Sequence, residues 1–265
     1  MTTSKVALVT GGASGIGLGL TRHLLQRDFK VVVADMNGER GAELQKELGS
    51  DFLFVKTDVT DWDAQAALFK RAYEWGGRID FLAANAGIAS IEPVYEDLVV
   101  NDSGELQKPN LGTLEVDLSA VFYGLILFKH YHHKAGGKGS GKVAVTASQS
   151  GLYPLRFRPT YCAAKHGTIG LVRSAGPRLL KTDGITLNAI CPGIVMTGID
   201  AEAMKIIPER YHTPMKLLMD AFDKCIDEDI SGAVIEISSK EIYLRDPVDY
   251  CDETCRFLSE AQPGP

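Results

Sequence analysis

The sequence predicts an α/β protein whose parallel sheet is doubly wound, with about seven strands and with helices on both faces. Two observations predict this fold. Short β-branched apolar runs alternate with helical stretches along the chain, and the runs are apolar throughout, as strands covered on both faces must be. With 265 residues, 45% of them hydrophobic, the chain can form one large core but hardly two. We therefore interpret residues 1–265 as a single domain.

The strands and helices follow one another in strict alternation, which implies right-handed crossovers. The predicted strands are 6–10, 31–35, 52–57, 79–84, 143–147, 185–190 and 233–237, and the predicted helices are 15–27, 39–48, 62–75, 114–133 and 161–180. Gly176 and Pro177 lie inside the last helix and predict a kink or an early end there. Two segments interrupt the rhythm, 89–111 and 198–230. Both follow the carboxyl end of a strand, where open α/β sheets bind ligands, so we expect them to be substrate loops.

Composition and charge argue against several classes of protein. The formal charge of −6 gives no long-range attraction to phosphate backbones or acidic lipids, so we expect no nucleic-acid partner. No signal sequence opens the chain and no apolar run approaches the ~20 residues that cross a bilayer, so we expect a soluble cytoplasmic protein without a membrane partner. The five cysteines are widely spaced without a CxxC pair, which favours reduced thiols and no metal site.

A glycine-rich turn follows the first strand. Residues 10–17 read TGGASGIG. Glycine permits a tight turn from strand to helix and lets the backbone approach a diphosphate, whose charge then lies at the amino end of the next helix. The pattern predicts a Rossmann-type dinucleotide site. Its candidate binding residues are Gly11, Ser14, Gly15, Ile16 and Gly17.

Residues at the ends of the next three strands extend this site. Asp35 ends the second strand, and a carboxylate there accepts hydrogen bonds from ribose hydroxyls and repels a 2′-phosphate. No Lys or Arg occupies 34–37, so the expected cofactor is NAD rather than NADP. Asp58 and Val59 would bound the adenine, and the segment that contains Asn85 and Gly87 would support the floor of the cofactor site.

Ser148, Tyr161 and Lys165 form the candidate catalytic set. Tyr161 and Lys165 are four residues apart, which places both side chains on one helix face. A phenol with the ordinary pKa near 10 is a poor base at neutral pH, but a nearby ammonium and a cationic nicotinamide stabilise the phenolate. Tyr161 would then act as general base or acid. Ser148 would orient the substrate oxygen, and Lys165 would also bind the nicotinamide ribose.

Taken together, these motifs resemble the short-chain dehydrogenase/reductase family. The similarity runs from about residue 5 to 245, and the segments TYCAAKHGTIGLVRSAG and LNAICPGIVMT are closest to NAD-dependent 15-hydroxyprostaglandin dehydrogenases. The resemblance implies a compact Rossmann-type domain, an NAD cofactor and a small-molecule alcohol or ketone as substrate. It also implies that the PGIVMT segment contacts the nicotinamide through Pro192, Gly193, Ile194 and Thr197.

One residue of the site departs from the family pattern. The family usually has Asn within a VNL segment, where its main-chain carbonyl helps to hold a water beside the lysine; this chain reads Val116-Asp117-Leu118. We include Asp117 in the candidate catalytic set. Its charge, if ionised, would oppose formation of the phenolate.

Two functions remain open from the sequence. The first is an NAD-dependent oxidoreductase acting on a secondary alcohol or ketone of a bulky, largely apolar molecule. The alternative is a cofactor-binding protein with a structural, regulatory or non-redox role, such as cyclisation or isomerisation, in the same pocket.

The sequence says less about the substrate contacts and the oligomeric state than about the cofactor site. Arg156 and Arg158 could meet a substrate carboxylate, although solvated loop arginines are commoner. The resemblance implies a homodimer or homotetramer in which long helices pair. The apolar face formed by Val121, Leu125 and Phe128 would suit such a contact.

Overall fold

The computed structural model describes residues 4–89, 94–95, 99–137, 141–197 and 206–261. Within these ranges the strands are β1 (Val6–Thr10), β2 (Lys30–Asp35), β3 (Phe52–Lys56), β4 (Phe81–Ala84), β5 (Gly141–Thr146), β6 (Ile185–Pro192), β7 (Val234–Ile237) and β8 (Ile242–Leu244). The helices of the same ranges are α1 (Gly15–Gln26), α2 (Gly38–Glu47), α3 (Trp62–Gly76), α4 (Gly112–Leu114), α5 (Ala120–Lys134), α6 (Pro159–Asp183), α7 (Met215–Asp227) and α8 (Glu253–Glu260). A π-helical turn, Glu115–Ser119, joins α4 to α5.

The strands form one sheet in the order β3-β2-β1-β4-β5-β6-β7-β8. Every neighbouring pair is parallel except β7 and β8. The predicted doubly wound fold is confirmed, with eight strands instead of seven among the described residues. The additional strand has only three residues, too short for an apolar pattern to reveal it. Winding reverses between β1 and β4, and such a reversal opens a crevice at the carboxyl ends of the strands.

Helices cover both faces of the sheet, so the core has two layers. On one face α3, α5 and α6 pack on the strands through buried side chains such as Leu68, Phe128 and Val172. On the other face α1, α2 and α7 do so through Leu24 and Phe222 among others. Burial on both faces explains why the strands read as continuous apolar runs.

We predicted the wrong face of α5 as the one that pairs subunits. Val121, Leu125 and Phe128 are buried in the core of the same chain, whereas the neighbouring stripe of Phe122 and Ile126 is exposed. Both stripes have the i, i+4 spacing of a helix face, so the apolar pattern alone does not reveal which of them meets the sheet.

The early end that Gly176 and Pro177 predicted for α6 is also wrong. The helix continues through Pro177 to Asp183 and ends at Gly184, whose φ of 67° lies in the left-handed region. Proline removes only one backbone donor, and the helix tolerates this loss. The hydroxyl of Ser231 donates to the carbonyl of Gly176 at 2.8 Å.

Only part of each predicted substrate loop can be compared with the structure, because residues 90–93, 96–98 and 198–205 lie outside the described ranges. The second segment is not wholly a loop. Its residues from Met215 to Asp227 form α7, and Leu218, Phe222 and Cys225 on this helix are fully buried against the sheet. Among the described residues, no helix combines the length and the apolar character that crossing a membrane requires.

Candidate active site

The turn after β1 brings two parts of the backbone into close contact. Gly11 has a φ of 64°, and a Cβ there would lie 2.9 Å from the Cα of Ala86. A Cβ on Gly17 would lie 2.2 Å from the carbonyl oxygen of Gly11. Neither position accepts a side chain. In the described part of the chain, Ser14 makes no side-chain hydrogen bond that caps α1. The amino end of this helix therefore fits the diphosphate of a dinucleotide.

Asp35 lies at the end of β2 and lines the same cleft. Its Oδ2 accepts a hydrogen bond from the backbone N–H of Ala13 at 3.0 Å, and its Oδ1 accepts one from Asn37 at 2.9 Å. These two bonds hold the carboxylate beside the glycine turn. Asp58 and Val59 line the cleft next to it. The ends of β2 and β3 thus carry the predicted adenosine side of the site.

Asn85 connects three strand ends beneath the cleft. Its Nδ2 donates to the carbonyl of Thr10 at 3.1 Å, and its Oδ1 accepts from the hydroxyl of Thr146 at 3.0 Å. The side chain therefore joins β1, β4 and β5 at the point where the winding reverses. Gly87 lies nearby, and a Cβ there would come within 3.5 Å of the Nζ of Lys165. This segment forms the predicted floor of the cofactor site.

Ser148, Tyr161 and Lys165 lie together in the cleft. The Nζ of Lys165 is 5.5 Å from the centre of the Tyr161 ring and donates to the carbonyl of Thr146 at 2.9 Å. Ser148 begins a short 3₁₀ turn, and its Oγ accepts from the N–H of Ser150 at 3.1 Å. This bond uses the hydroxyl as an acceptor and leaves its proton for donation. The set combines a phenol, a cation and a hydroxyl donor.

A buried ion pair joins Lys165 to Asp117. The Oδ2 of Asp117 lies 3.1 Å from the Nζ of Lys165, and both side chains are buried. Burial is the largest single effect and opposes the charged ammonium, but the Asp117 carboxylate, helped by Tyr161 and Cys191, raises the pKa of Lys165 above its ordinary value. The π-helical turn carries Asp117 inward, as such turns often do at functional sites.

The contacts of Asp117 differ from those that the family resemblance implies. Its main-chain carbonyl accepts a hydrogen bond from the hydroxyl of Thr168 at 3.1 Å. Its side chain bonds the N–H of Ile88 through Oδ1 at 2.8 Å and pairs with Lys165 through Oδ2. The carboxylate thus touches the lysine directly, instead of acting only through a distant field.

The segment after β6 closes the cleft opposite the glycine turn. Pro192, Gly193, Ile194 and Thr197 all line it. Thr197 packs over the turn, because a Cβ on Gly15 would meet its Cγ2 at 3.1 Å. The carbonyl of Ile194 is occupied by the N–H of Thr213 at 2.6 Å. The predicted nicotinamide end therefore adjoins the predicted diphosphate end.

A polar network at the base of the cleft was missed by sequence reasoning. Glu236 on β7 accepts from the amide of Gln149 at 3.0 Å and from the hydroxyl of Tyr153 at 3.1 Å, and it pairs with Arg245. Gln149 and Tyr153 line the cleft. Burial and the Glu236 carboxylate raise the pKa of Tyr153, so the phenol stays a donor. Glu236 is more than 80 residues from both partners, so no local signal could have revealed these contacts.

The cleft has a volume of about 970 Å³, large enough for a cofactor and a substrate. Its outer wall is mostly apolar and includes Ile88, Leu155 and Phe157. The structure separates the two arginines that the sequence singled out. Arg158 lines the cleft, whereas the carbonyl of Arg156 accepts a hydrogen bond from the hydroxyl of Tyr95 at 2.6 Å.

Two cysteines near the carboxyl end, four residues apart, lie close together. The Sγ atoms of Cys251 and Cys255 are 3.2 Å apart, and with Asp252 they place three possible metal-ligand atoms within 4.8 Å of one another. All three residues are exposed and stand outside the cleft lining. The proposed site does not involve them.

Comparison with known proteins gives consistent matches. A family model described as short chain dehydrogenase matches residues 5–206. Short-chain dehydrogenase/reductase prx7 of Penicillium rubens is 31% identical over 271 residues, covering 93% of this chain and 95% of that protein. The human 15-hydroxyprostaglandin dehydrogenase (NAD+) is 37% identical over 201 residues, covering 74% of this chain and 70% of that protein.

Solved structures show the same likeness. Levodione reductase has a TM-score of 0.76 at 25% identity, covering 90% of this chain and 98% of that chain. Actinorhodin polyketide ketoreductase with NADPH has a TM-score of 0.65 at 31% identity, covering 83% of this chain and 81% of that chain.

Proposed function

Because this chain belongs to the short-chain dehydrogenase family, as its motifs predicted, and is therefore an oxidoreductase, we propose that it transfers hydride between NAD and a secondary alcohol or ketone. The substrate is a bulky, largely apolar small molecule. One observation carries the proposal: Tyr161, Lys165 and Ser148 meet in a cleft that is also lined by the glycine-rich turn and by Asp35. A cofactor-binding turn without a proton-transfer group would have favoured the non-redox alternative.

The residues at the cofactor end favour NAD over NADP. Relatives of this chain differ in cofactor, since one is named for NAD+ and a structural neighbour is described with NADPH. Here Asp35 is held beside the turn by two backbone hydrogen bonds, and its charge would repel a 2′-phosphate. Gly11 and Gly17 leave room for the diphosphate. When bound, the nicotinamide supplies the acceptor or donor of hydride.

The protein's own side chains hold the substrate and move its proton. The Oγ of Ser148 accepts a hydrogen bond from the N–H of Ser150, which leaves the hydroxyl proton to be donated. Ser148 donates this proton in a hydrogen bond to the substrate oxygen. Tyr161 takes the proton of the alcohol during oxidation and returns it during reduction. The ammonium of Lys165 lies over the phenol ring and stabilises the negative charge that Tyr161 carries as a phenolate, before it takes the proton in oxidation and after it releases the proton in reduction. Lys165 also binds the nicotinamide ribose.

The outer wall of the cleft supports an apolar substrate. Three apolar residues that line the cleft are exposed and offer hydrocarbon surface to a substrate: Ile88, Leu155 and Phe157. Arg158 adds a cation to this wall, where it could meet an acidic group. A hydroxysteroid, a terpenol or a hydroxy-fatty acid has the required combination of an apolar body and a secondary alcohol.

The proposal includes a homodimer or homotetramer in the cytoplasm. Phe122 and Ile126 form an exposed apolar pair on α5 that a second copy could cover. The five free cysteines are consistent with a reducing compartment. Two of them, Cys191 and Cys225, are buried, and burial raises the pKa of each thiol to about 12.

Absorbance of NADH with a panel of hydroxysteroids, terpenols and hydroxy-fatty acids tests the function. We expect one class to be oxidised by the wild-type protein. Tyr161→Phe should keep NAD binding and lose most turnover, because it removes only the hydroxyl that transfers the proton. Full turnover in Tyr161→Phe would contradict the assigned role. Conversion of a substrate without any change in NADH would favour the non-redox alternative.

A further inference from the structure

The two oxygens of the Asp117 carboxylate have different partners. Oδ1 accepts the backbone N–H of Ile88 at 2.8 Å, which fixes the segment after β4. Oδ2 lies 3.1 Å from the Nζ of Lys165, and it has no hydrogen bond to any described residue. An asparagine oxygen would serve Ile88 equally well. The backbone contact therefore does not require a negative charge, and the remaining partner of that charge is the lysine.

The Asp117–Lys165 pair is almost isolated from solvent. The side-chain exposures are 0% for Asp117 and 4% for Lys165, so water screens the two charges little. Two other titratable groups act on the ammonium from the elements packed around it, the phenol of Tyr161 and the thiol of Cys191. Burial raises the pKa of this thiol to about 12, so it is uncharged at neutral pH. The pair accordingly has no net charge where the lysine faces the cleft.

We propose that Asp117 makes the site favour the oxidised cofactor, because it cancels the charge of Lys165 beside the nicotinamide. The inference rests on the proposed function, which places Lys165 at the nicotinamide ribose. The oxidised ring is a cation and the reduced ring is neutral. An ammonium without a counter-ion would repel the oxidised ring alone, whereas a neutral pair would not. Asp117 thereby favours oxidation of the alcohol over reduction of the ketone.

The position of the charge makes this inference specific. Asp35 and Asp58 also line the cleft, but they lie at the ends of β2 and β3 on the predicted adenosine side. The adenosine half is identical in the two oxidation states. A carboxylate there changes the affinities for NAD+ and NADH by the same factor. Only a charge next to the reactive ring separates the two affinities.

Dissociation constants of NAD+ and NADH, measured by calorimetry without substrate, test the inference. In Asp117→Asn we expect the ratio Kd(NAD+)/Kd(NADH) to rise about tenfold, mainly through weaker binding of NAD+. A tenfold change corresponds to about 1.4 kcal/mol and to about 30 mV in the two-electron potential of the bound couple. Asp117→Ala removes the same charge and should change the ratio in the same direction. Asp58→Asn is the matched control and should leave the ratio unchanged.

A double variant separates charge from shape. Asp117→Asn combined with Lys165→Met removes both charges, so the ratio should return towards that of the wild type even if both affinities fall. An unchanged ratio in Asp117→Asn would overturn the inference, as would a raised ratio that persists in the double variant. Wild-type protein that binds neither NAD+ nor NADH would instead overturn the proposed function itself, and the inference with it.

Discussion

Replacing Glu236 by Gln tests whether the polar network under the cleft holds the described fold together. Glu236 is 4% exposed, and its carboxylate accepts from Gln149, Tyr153 and Arg245. A glutamine has nearly the same shape but offers only one acceptor oxygen. Its NH2 group would face a donor of Gln149, Tyr153 or Arg245. At least one buried hydrogen bond and the ion pair are therefore lost.

The cost follows from the burial of the two charged partners. A hydrogen bond to a charged group contributes ~1.5–3 kcal/mol, and removal of one partner from a fully buried ion pair costs ~3–5 kcal/mol. The side chain of Arg245 is 42% exposed, so solvent stabilises it when its partner is lost. We expect a loss of about 2 kcal/mol in the free energy of unfolding. For a chain of this size, that lowers Tm by roughly 4–8 °C.

Thermal unfolding followed by circular dichroism measures this effect. Glu241→Gln is the matched control, because Glu241 is exposed just before β8 and its side chain bonds only the hydroxyl of Tyr243 within the described chain. We expect the control to change stability by less than about 0.5 kcal/mol. A Tm for Glu236→Gln within about one degree of the control would refute the view that this network stabilises the sheet edge.

Three further predictions concern charges at the site and in the core. The contacts of Lys165 place the Asp117 carboxylate within about 9 Å of the Tyr161 ring, where a unit charge changes the energy of the phenolate by about 2 kcal/mol. Asp117→Asn should therefore move the basic rise of the pH–rate profile down by about one pH unit. A variant whose rate rises at the same pH as that of the wild type would contradict this. NAD should bind at least about tenfold tighter than NADP, with Asp35→Ala narrowing the difference; equal dissociation constants in the wild type would be evidence against Asp35 as the selector. Burial lowers the pKa of the His132 imidazole below its ordinary value of 6.5, so the unfolded chain binds a proton at this residue before the folded chain does. The free energy of unfolding should therefore fall as the pH drops below about 6.5. His132→Gln should reduce this fall, measured by urea titrations at pH 7.5 and 5.5.

The sequence was most informative where chemistry depends on short spacing. The glycines of the turn after β1 follow one another within seven residues, and Tyr161 and Lys165 are one helical turn apart. Such patterns fix a local geometry almost independently of the rest of the fold. Asp35 could be placed as well, because the carboxyl ends of parallel strands meet at one edge.

Contacts between distant segments could not be predicted in this way. The direct pairing of Asp117 with Lys165 depends on a π-helical turn, which no spacing rule anticipates. Gln149 and Tyr153, two of the partners of Glu236, lie more than 80 residues away along the chain. The inward face of α5 and the passage of α6 through Pro177 were decided by packing against the sheet, and tertiary packing overrides local preference.

Hydride transfer itself can be followed with a secondary alcohol that carries deuterium on its carbinol carbon. Once the panel has identified an oxidised substrate, mass spectrometry of the cofactor after turnover is the most direct test of the proposed function. We predict that one deuterium appears in NADH, at a rate that falls sharply in Tyr161→Phe. Conversion of the alcohol with the cofactor recovered as unlabelled NAD+ would contradict the account and assign this cleft to chemistry without hydride transfer.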